Sequence, residues 1–525
     1  MRDRRSPTAR FAVRGQRRSC TRRPNRVHPP RRWRNLGFAI LASCLVAGLV
    51  LRIVAPSPLW LDEALSVHIA RLGFGDMVEA LRHDGHPSLY YLLLGWWIDL
   101  FGSSDVAVRS LSGVASLATV PVLWALGRRR SPTIGVVAAA LGLTSPYLLR
   151  YGTEARMYAL LALLVALTWL GAERALERPS AGRLLLVTLG TAALVHTHYW
   201  SFWLVGAAFL GLVLARHPAD PDRRLAGYRV AGAVAVGGAT FAVWLPVFLD
   251  QLASTGTPWA SRARPAEIAV ETMEALGGNN RFEGQLLGMI VVVLALLGVF
   301  GRRRGRAIEL TASTGPLTAT AVVTAGTITI GAAVALATGS AFEGRYAAVV
   351  VPFVLVAAAR GIALFAPRSG LVVLAALVAF SVAVGIDEAR RDRTQGGEVA
   401  TALAAGVRPG DVVAFCPDQV GPATLEALDR QVTTFAFPRG DGQLVDWRDY
   451  TDAVAATTAA DFVDTITDAA GNHDVWLVAG LGYHGLANRC EEIIGRLDAT
   501  RRPVRLVAPR PVFEPMMLTR YEAVG

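Results

Sequence analysis

Lysine is absent from the 525-residue sequence, so all 53 basic side chains are arginine, against 41 acidic ones. Charge as a whole is scarce at 18% of residues, below the ~25% usual in soluble domains. Cysteine is scarce too. Cys20 lies in a basic tail, Cys44 in an apolar run, and Cys416 and Cys490 in a polar C-terminal region. That spacing excludes a zinc-type ligand set and leaves a Cys416–Cys490 disulfide chemically permitted in an oxidising compartment. What fills the chain instead is apolar: 53% hydrophobic, with mean hydropathy +0.39. An ordinary soluble fold of this length is excluded.

The apolar excess sits in runs of roughly 17–23 residues, enough to cross a ~30 Å hydrocarbon core. The arginines collect in short loops between those runs, the positive-inside pattern of membrane proteins rather than a nucleic-acid surface. Residues 1–35 are rich in Arg and Pro and read as a disordered cytoplasmic tail. The next run, 36–55, lacks a small-residue cleavage site and reads as an uncleaved first span. Keeping Arg128, Arg129 and Arg130 inside requires 87–101 to lie at the membrane interface, where Tyr90, Tyr91, Trp96 and Trp97 are at home. The other spans are then 106–126, 134–149, 155–172, 184–195, 202–215, 231–249, 286–300, 317–337, 347–364 and 371–386. This makes eleven, with the N-terminus inside, the C-terminus outside and a first outer loop at 56–104. Only the last Arg cluster, after the final span, falls on the outer side. The lysine-free, Ala- and Arg-rich composition suits a multi-pass protein of a bacterial plasma membrane.

From 387 to 525 the long apolar runs stop. Short strand-like stretches (411–415, 475–478) alternate with helix-like ones (399–405, 486–497), and Arg408-Pro-Gly-Asp411 reads as a turn into a strand. A small α/β domain on the outer face follows, about 130 residues and large enough to bury its own core. The fold class expected is an α-helical polytopic membrane protein carrying a C-terminal extracytoplasmic α/β domain.

With this topology the polar residues at the outer face form one set: Asp62, Glu63, His68, Asp84 and His86; Tyr151, Glu154, Arg156 and Tyr158; His196, His198 and Tyr199; Trp259, Arg262 and Arg264; Glu343, Arg345 and Tyr346. Charge at membrane depth is costly and is usually paired or functional. Each residue also has a plainer reading. Asp62 suits a helix N-cap, and His86-Pro87 a helix start. Glu154 and Arg156 suit an interfacial ion pair, and Arg345 a snorkelling span end. His196-Thr-His198, without nearby carboxylates, reads as loop histidines rather than a metal site; a divalent metal is not favoured.

Several of these residues stand in motifs: Trp60-Leu-Asp62-Glu63-Ala, Asp84-x-His86-Pro87-x-x-Tyr90-Tyr91, Phe101-Gly102 followed by Arg109-Ser-Leu, Ser145-Pro146, Glu154-Ala-Arg156-Met-Tyr158, and Arg345-Tyr346 followed by Pro352. In this order they resemble the GT-C glycosyltransferases, in the branch of the protein O-mannosyltransferases and the aminoarabinose transferases of lipid A. The resemblance covers about the first 360 residues. It implies a polyprenyl-phosphate-linked sugar donor, an extracytoplasmic reaction with inversion, and an envelope glycan, lipid or protein as acceptor. It makes Asp62, with Glu63 beside it, the catalytic position, and Glu154 the second acidic position. Arginine suits a phosphate leaving group, so Arg345 and then Arg156 are the expected phosphate ligands, with His86, Tyr158 and Tyr346 near the substrate. A lipid-linked sugar flippase or a non-catalytic envelope protein is the competing reading. The first would place charge near the bilayer midplane, where these spans are nearly free of it.

Overall fold

The computed structural model describes residues 31–214, 221–256, 264–278, 281–312 and 315–523. Most of the expected N-terminal tail, with Cys20, therefore lies outside the described residues. Its last residues are helical, because α1 (Arg31–Val50) begins inside it. The first outer loop folds into three short helices, α2 (Leu61–Arg71), α3 (Phe74–Asp84) and α4 (Leu89–Phe101). Gly85 closes α3 at φ +85°, a conformation that suits glycine. Trp97 of α4 donates to Ala107 O at 3.1 Å and Ser110 Oγ at 2.9 Å, holding α4 against the next helix.

The bundle continues with α5 (Asp105–Arg128), α6 (Pro132–Thr144), α7 (Pro146–Gly152), α8 (Tyr158–Glu177), α9 (Ala181–Thr197), α10 (Ser201–Leu214), α11 (Pro221–Ala239), α12 (Leu245–Ser254), α13 (Pro265–Gly277), α14 (Phe282–Phe300), α15 (Thr318–Thr338), α16 (Val351–Ala363) and α17 (Pro367–Arg390). All eleven apolar stretches are helical over most of their described length. Among the described residues six helices are each long and apolar enough to cross a membrane: α5, α8, α11 with its 3₁₀ extension to Val243, α14, α15 and α17. α6 and α7 form a seventh candidate as a pair bent by 48°, and the shorter apolar helices are Gly37–Val50, α4, α9, α10 and α16.

Two spans differ from the sequence reading. The 134–149 stretch breaks at Ser145, whose Oγ caps Leu148 N while Pro146 opens α7. The 231–249 stretch is the end of α11, a 3₁₀ turn at Thr240–Val243, and the start of α12. The arginines after α14, expected in a plain loop, form a hairpin of β1 (Gly301–Arg304) and β2 (Ala307–Leu310). α14 and α16 meet backbone to backbone: a Cβ on Gly298 would fall 1.8 Å from Ala357 O, and one on Gly361 2.0 Å from Leu294 O. Small residues at such contacts are what close helix packing in membranes requires.

The C-terminal region is α/β as expected. Its sheet holds β3 (Val412–Cys416), β4 (Thr433–Ala436), β5 (Val475–Ala479), β6 (Arg502–Val507) and β7 (Met517–Glu522) in the order β4-β3-β5-β7-β6. β3 pairs parallel with β4 and β5, and β7 antiparallel with β5 and β6. Asp411 builds the turn before β3, accepting from Arg408 N, Asp474 N and Trp476 Nε1. A Cys416–Cys490 disulfide ties β3 to the helix Arg489–Thr500.

This domain is seated on the first outer loop. Trp60, Leu61 and Leu65 belong to the same apolar cluster as Val412, Ala414 and Phe437. Arg71 pairs with Glu426 at 2.9 Å and His83 with Asp446 at 2.7 Å. Arg393, from the linker after α17, is buried and donates to Thr153 O and Oγ1, both at 2.8 Å. The Arg cluster that broke the charge register thus contains an arginine committed to joining the two parts.

Candidate active site

α2 begins with Trp60 as its N-cap, so Asp62 is not the cap residue. Glu63 takes the capping role instead, with Oε2 3.4 Å from Trp60 N, as the third residue of a helix can. Asp62, one residue earlier, turns the other way into a cavity of about 590 Å³.

The membrane-side wall of that cavity is charged. Arg345, on the 3₁₀ segment Gly344–Val349, donates through Nη1 to Asp62 Oδ2 at 2.6 Å. Arg156 lies 3.7 Å from the same oxygen and donates to Ser66 Oγ at 3.1 Å. It also stands 3.2 Å from His86 Nε2. A guanidinium only donates, so His86 Nε2 accepts and its Nδ1–H faces Asp84 Oδ2 at 2.9 Å. Tyr91 donates to the same Asp84 oxygen at 2.8 Å. Burial pushes the Asp84 carboxyl up, but His86, Arg156 and Tyr91 together hold it down at about 2. The Tyr346 ring completes this wall, its centroid 6.0 Å from the Arg345 guanidinium.

Not every expected residue reaches the cavity. Glu63 does not stand with Asp62 at the wall: it is fully buried and accepts from Arg109 Nε at 2.7 Å, Arg109 Nη2 at 2.6 Å and Ala155 N at 2.9 Å. Burial raises its carboxyl, yet Arg109, Arg393 and the Ala155 amide bring it below the ordinary value. Arg109 also binds the carbonyls of Ala55, Ser57 and Pro58, so this pair pins the segment leading to Asp62. Glu154 is likewise behind the wall, 3.3 Å from Arg150, which also pairs with Glu388 at 2.8 Å. Burial lifts its carboxyl above the usual range despite Arg150. Tyr158 is buried, its hydroxyl unpartnered among the described residues and its ring between those of Tyr151 and His198.

The rest of the expected polar set is spread out. Asp84 and Glu343 line the cavity. His198 is buried beside Tyr346, its ring centroid 5.1 Å away. His196 and Tyr199 pack against Phe241, away from Asp62. His68 lines a separate groove under the C-terminal domain. Arg264 is exposed ahead of α13, while Trp259 and Arg262 lie outside the described residues. Among the described residues no three His, Cys, Asp or Glu side chains are grouped to hold a metal ion.

The sequence reading missed the opposite wall. It comes from the C-terminal domain: Gln419, Trp447, Leu481, Tyr483, His484, Phe513 and Glu514. Glu514 arrives through a parallel bridge with Thr394, next to Arg393. Burial pushes its carboxyl up to about 8.

The backbone superposes on ArnT from Cupriavidus metallidurans in the apo state with a TM-score of 0.61, over 93% of this chain and 98% of that one, at 11% identity. The chain has the GT-C fold. A second ArnT structure, bound to undecaprenyl phosphate, gives 0.59 at 13% identity over 92% and 97% of the two chains. Arabinofuranosyltransferase AftD from Mycobacteria aligns more loosely, with a TM-score of 0.49 at 13% identity over 95% of this chain and 40% of that one. The model of the dolichyl-phosphate-mannose-protein mannosyltransferase family matches residues 85–245. That stretch holds His86, Glu154, Arg156 and Tyr158 but neither Asp62 nor Arg345. No curated protein matches the sequence.

Proposed function

We propose that the protein is an inverting glycosyltransferase, moving a sugar from a polyprenyl-phosphate donor to a hydroxyl of an envelope glycan, lipid or protein on the outer face of a bacterial plasma membrane. The observation that carries this reading is the meeting of Asp62, Arg345 and Arg156 at one cavity wall. A hydroxyl is a poor nucleophile at neutral pH and gains from a positioned carboxylate. Asp62 takes the acceptor proton as the acceptor oxygen bonds to the anomeric carbon. The bond from that carbon to the phosphate oxygen breaks, and its electron pair leaves with the phosphate. No general acid is needed, unlike the two-carboxyl chemistry of glycoside hydrolysis. Attack opposite the leaving group inverts the centre.

Arg345 and Arg156 serve the phosphate, whose charge grows as the bond breaks. Donor phosphate and Asp62 then compete for Arg345, so donor binding releases the carboxylate for its task. Asp84 and His86 orient Arg156, and Tyr346 flanks Arg345. Glu63, Glu154 and Tyr158 act behind the wall as positioning residues. The binding of undecaprenyl phosphate by a protein of the same fold supports the choice of donor.

The test is label transfer in membranes supplied with radiolabelled decaprenyl-phosphate mannose or arabinose. Asp62→Asn is expected to lower transfer by about 10²- to 10⁴-fold at unchanged protein yield. Transfer at the wild-type rate would remove Asp62 from the mechanism.

A further inference from the structure

The two walls of the cavity differ in how their polar groups are met. On the membrane side Asp62, Asp84, His86, Arg156 and Arg345 each have a charged or polar partner. Across from it, Glu514 is 2% exposed, and the Thr394 hydroxyl and Leu61 N–H beside its carboxyl leave both oxygens without a well-formed hydrogen bond among the described residues. The Trp60 indole N–H, at the edge of the same cavity and 5% exposed, is also unmet. Buried polar groups are normally paired, so an unmet N–H and a poorly met carboxyl in one cavity point to a ligand. Rings surround them: Trp60 and Phe513 meet edge to face at 5.0 Å, and Trp447 and Tyr483 also line the space.

We propose that this wall is a sugar-ring subsite supplied largely by the C-terminal domain, in which Glu514 and Trp60 read hydroxyl groups and the aromatic rings cover the apolar face of the ring. A hydroxyl accepts and donates at once, so a sugar answers both the unmet N–H and the poorly met carboxyl; a hydrocarbon chain answers neither. At neutral pH the raised Glu514 carboxyl keeps its proton and can itself donate and accept. This rests on the glycosyltransferase reading for its purpose, but it is tested by binding alone. The sugar is either that of the donor or that of a glycan acceptor, and the probes below separate the two.

The full chain in nanodiscs is titrated with decaprenyl phosphate, decaprenyl-phosphate mannose and octyl α-mannoside, for wild type, Glu514→Ala and Glu514→Gln. Loss of the carboxyl is expected to weaken a sugar-bearing probe about tenfold and leave decaprenyl phosphate within twofold. Glu514→Gln, isosteric and still able to donate and accept, is expected to retain part of the affinity. Loss confined to decaprenyl-phosphate mannose assigns the subsite to the donor sugar; loss for octyl mannoside assigns it to a glycan acceptor. The proposal is overturned if wild type takes decaprenyl phosphate but gains nothing from any sugar. Equal binding by all three proteins overturns it too, as does equal loss of decaprenyl phosphate, which marks a structural role. Because no transfer is measured, an inactive Asp62 pathway and a missing sugar subsite give different results.

Discussion

The membrane-side wall of the cavity and the wall from the C-terminal domain are built on opposite plans. On the first, Asp62, Arg345, Arg156, His86 and Asp84 form a chain of contacts between 2.6 and 3.7 Å. On the second, Glu514 is buried and its carboxyl completes no well-formed hydrogen bond among the described residues. A connected chain of charges fixes their geometry before any substrate arrives, which is what electrostatic catalysis needs. An unpaired wall stores binding capacity, because burying an unmet polar group costs free energy that a matching ligand recovers. Pairing suits the reacting phosphate and carboxylate; the unmet wall suits recognition.

The most severe way to break this contrast is to take away the support behind the paired wall. Arg109→Leu leaves Glu63 as a buried charge with its main partner gone, a change worth about 3–5 kcal/mol when one half of a buried pair is removed. It is expected to lower the thermal midpoint and the yield of folded protein, whereas Asp62→Asn lowers activity and leaves both intact. Arg345→Lys sharpens the comparison within the wall. It keeps the charge but loses the two-pronged geometry for phosphate, and is expected to raise the donor KM about tenfold with little change in thermal midpoint.

The smallest effect is on the unpaired wall and is read by pH. Glu514 has its folded pKa raised to about 8, so between the ordinary carboxylate value near 4.5 and about 8 the folded state holds the extra proton. Stability therefore falls as pH rises through that window. A plot of thermal midpoint against pH is expected to lose this downward slope in Glu514→Gln. Asp84 works in the opposite sense. With its folded value held to about 2, its stabilising contribution is complete above the ordinary aspartate range and is lost as pH falls towards 2.

The two walls also differ in how legible they were in the sequence, for the same physical reason. Asp62, His86, Arg156 and Arg345 stand beside apolar runs, where a charge is costly and conspicuous. Glu514 sits in a short Pro-flanked stretch after β6, far in sequence from any apolar span, and only the docking of the domain brings it to the cavity. Arg393 did leave a trace, as part of the one Arg cluster on the wrong side of the charge register. Its bonds to Thr153 account for that. Neighbouring positions did not separate from sequence alone. Asp62 and Glu63 differ in role because successive helical residues point about 100° apart, one towards the cavity and one towards Arg109. In the fold, the long apolar helices and the two buried strands β3 and β5 were legible, and the exposed edge strands were not. β6, Arg-rich and exposed along most of its length, has no alternation to reveal it.

The central claim is that Arg345 and Arg156 hold the donor phosphate while Asp62 faces the attacking hydroxyl. A density map of the full chain with decaprenyl-phosphate mannose tests it most directly. The account predicts the phosphate within hydrogen-bond distance of Arg345, and the anomeric carbon between that phosphate and the Asp62 side of the cavity. A phosphate seated away from both arginines, with the Asp62–Arg345 pair undisturbed, would contradict it.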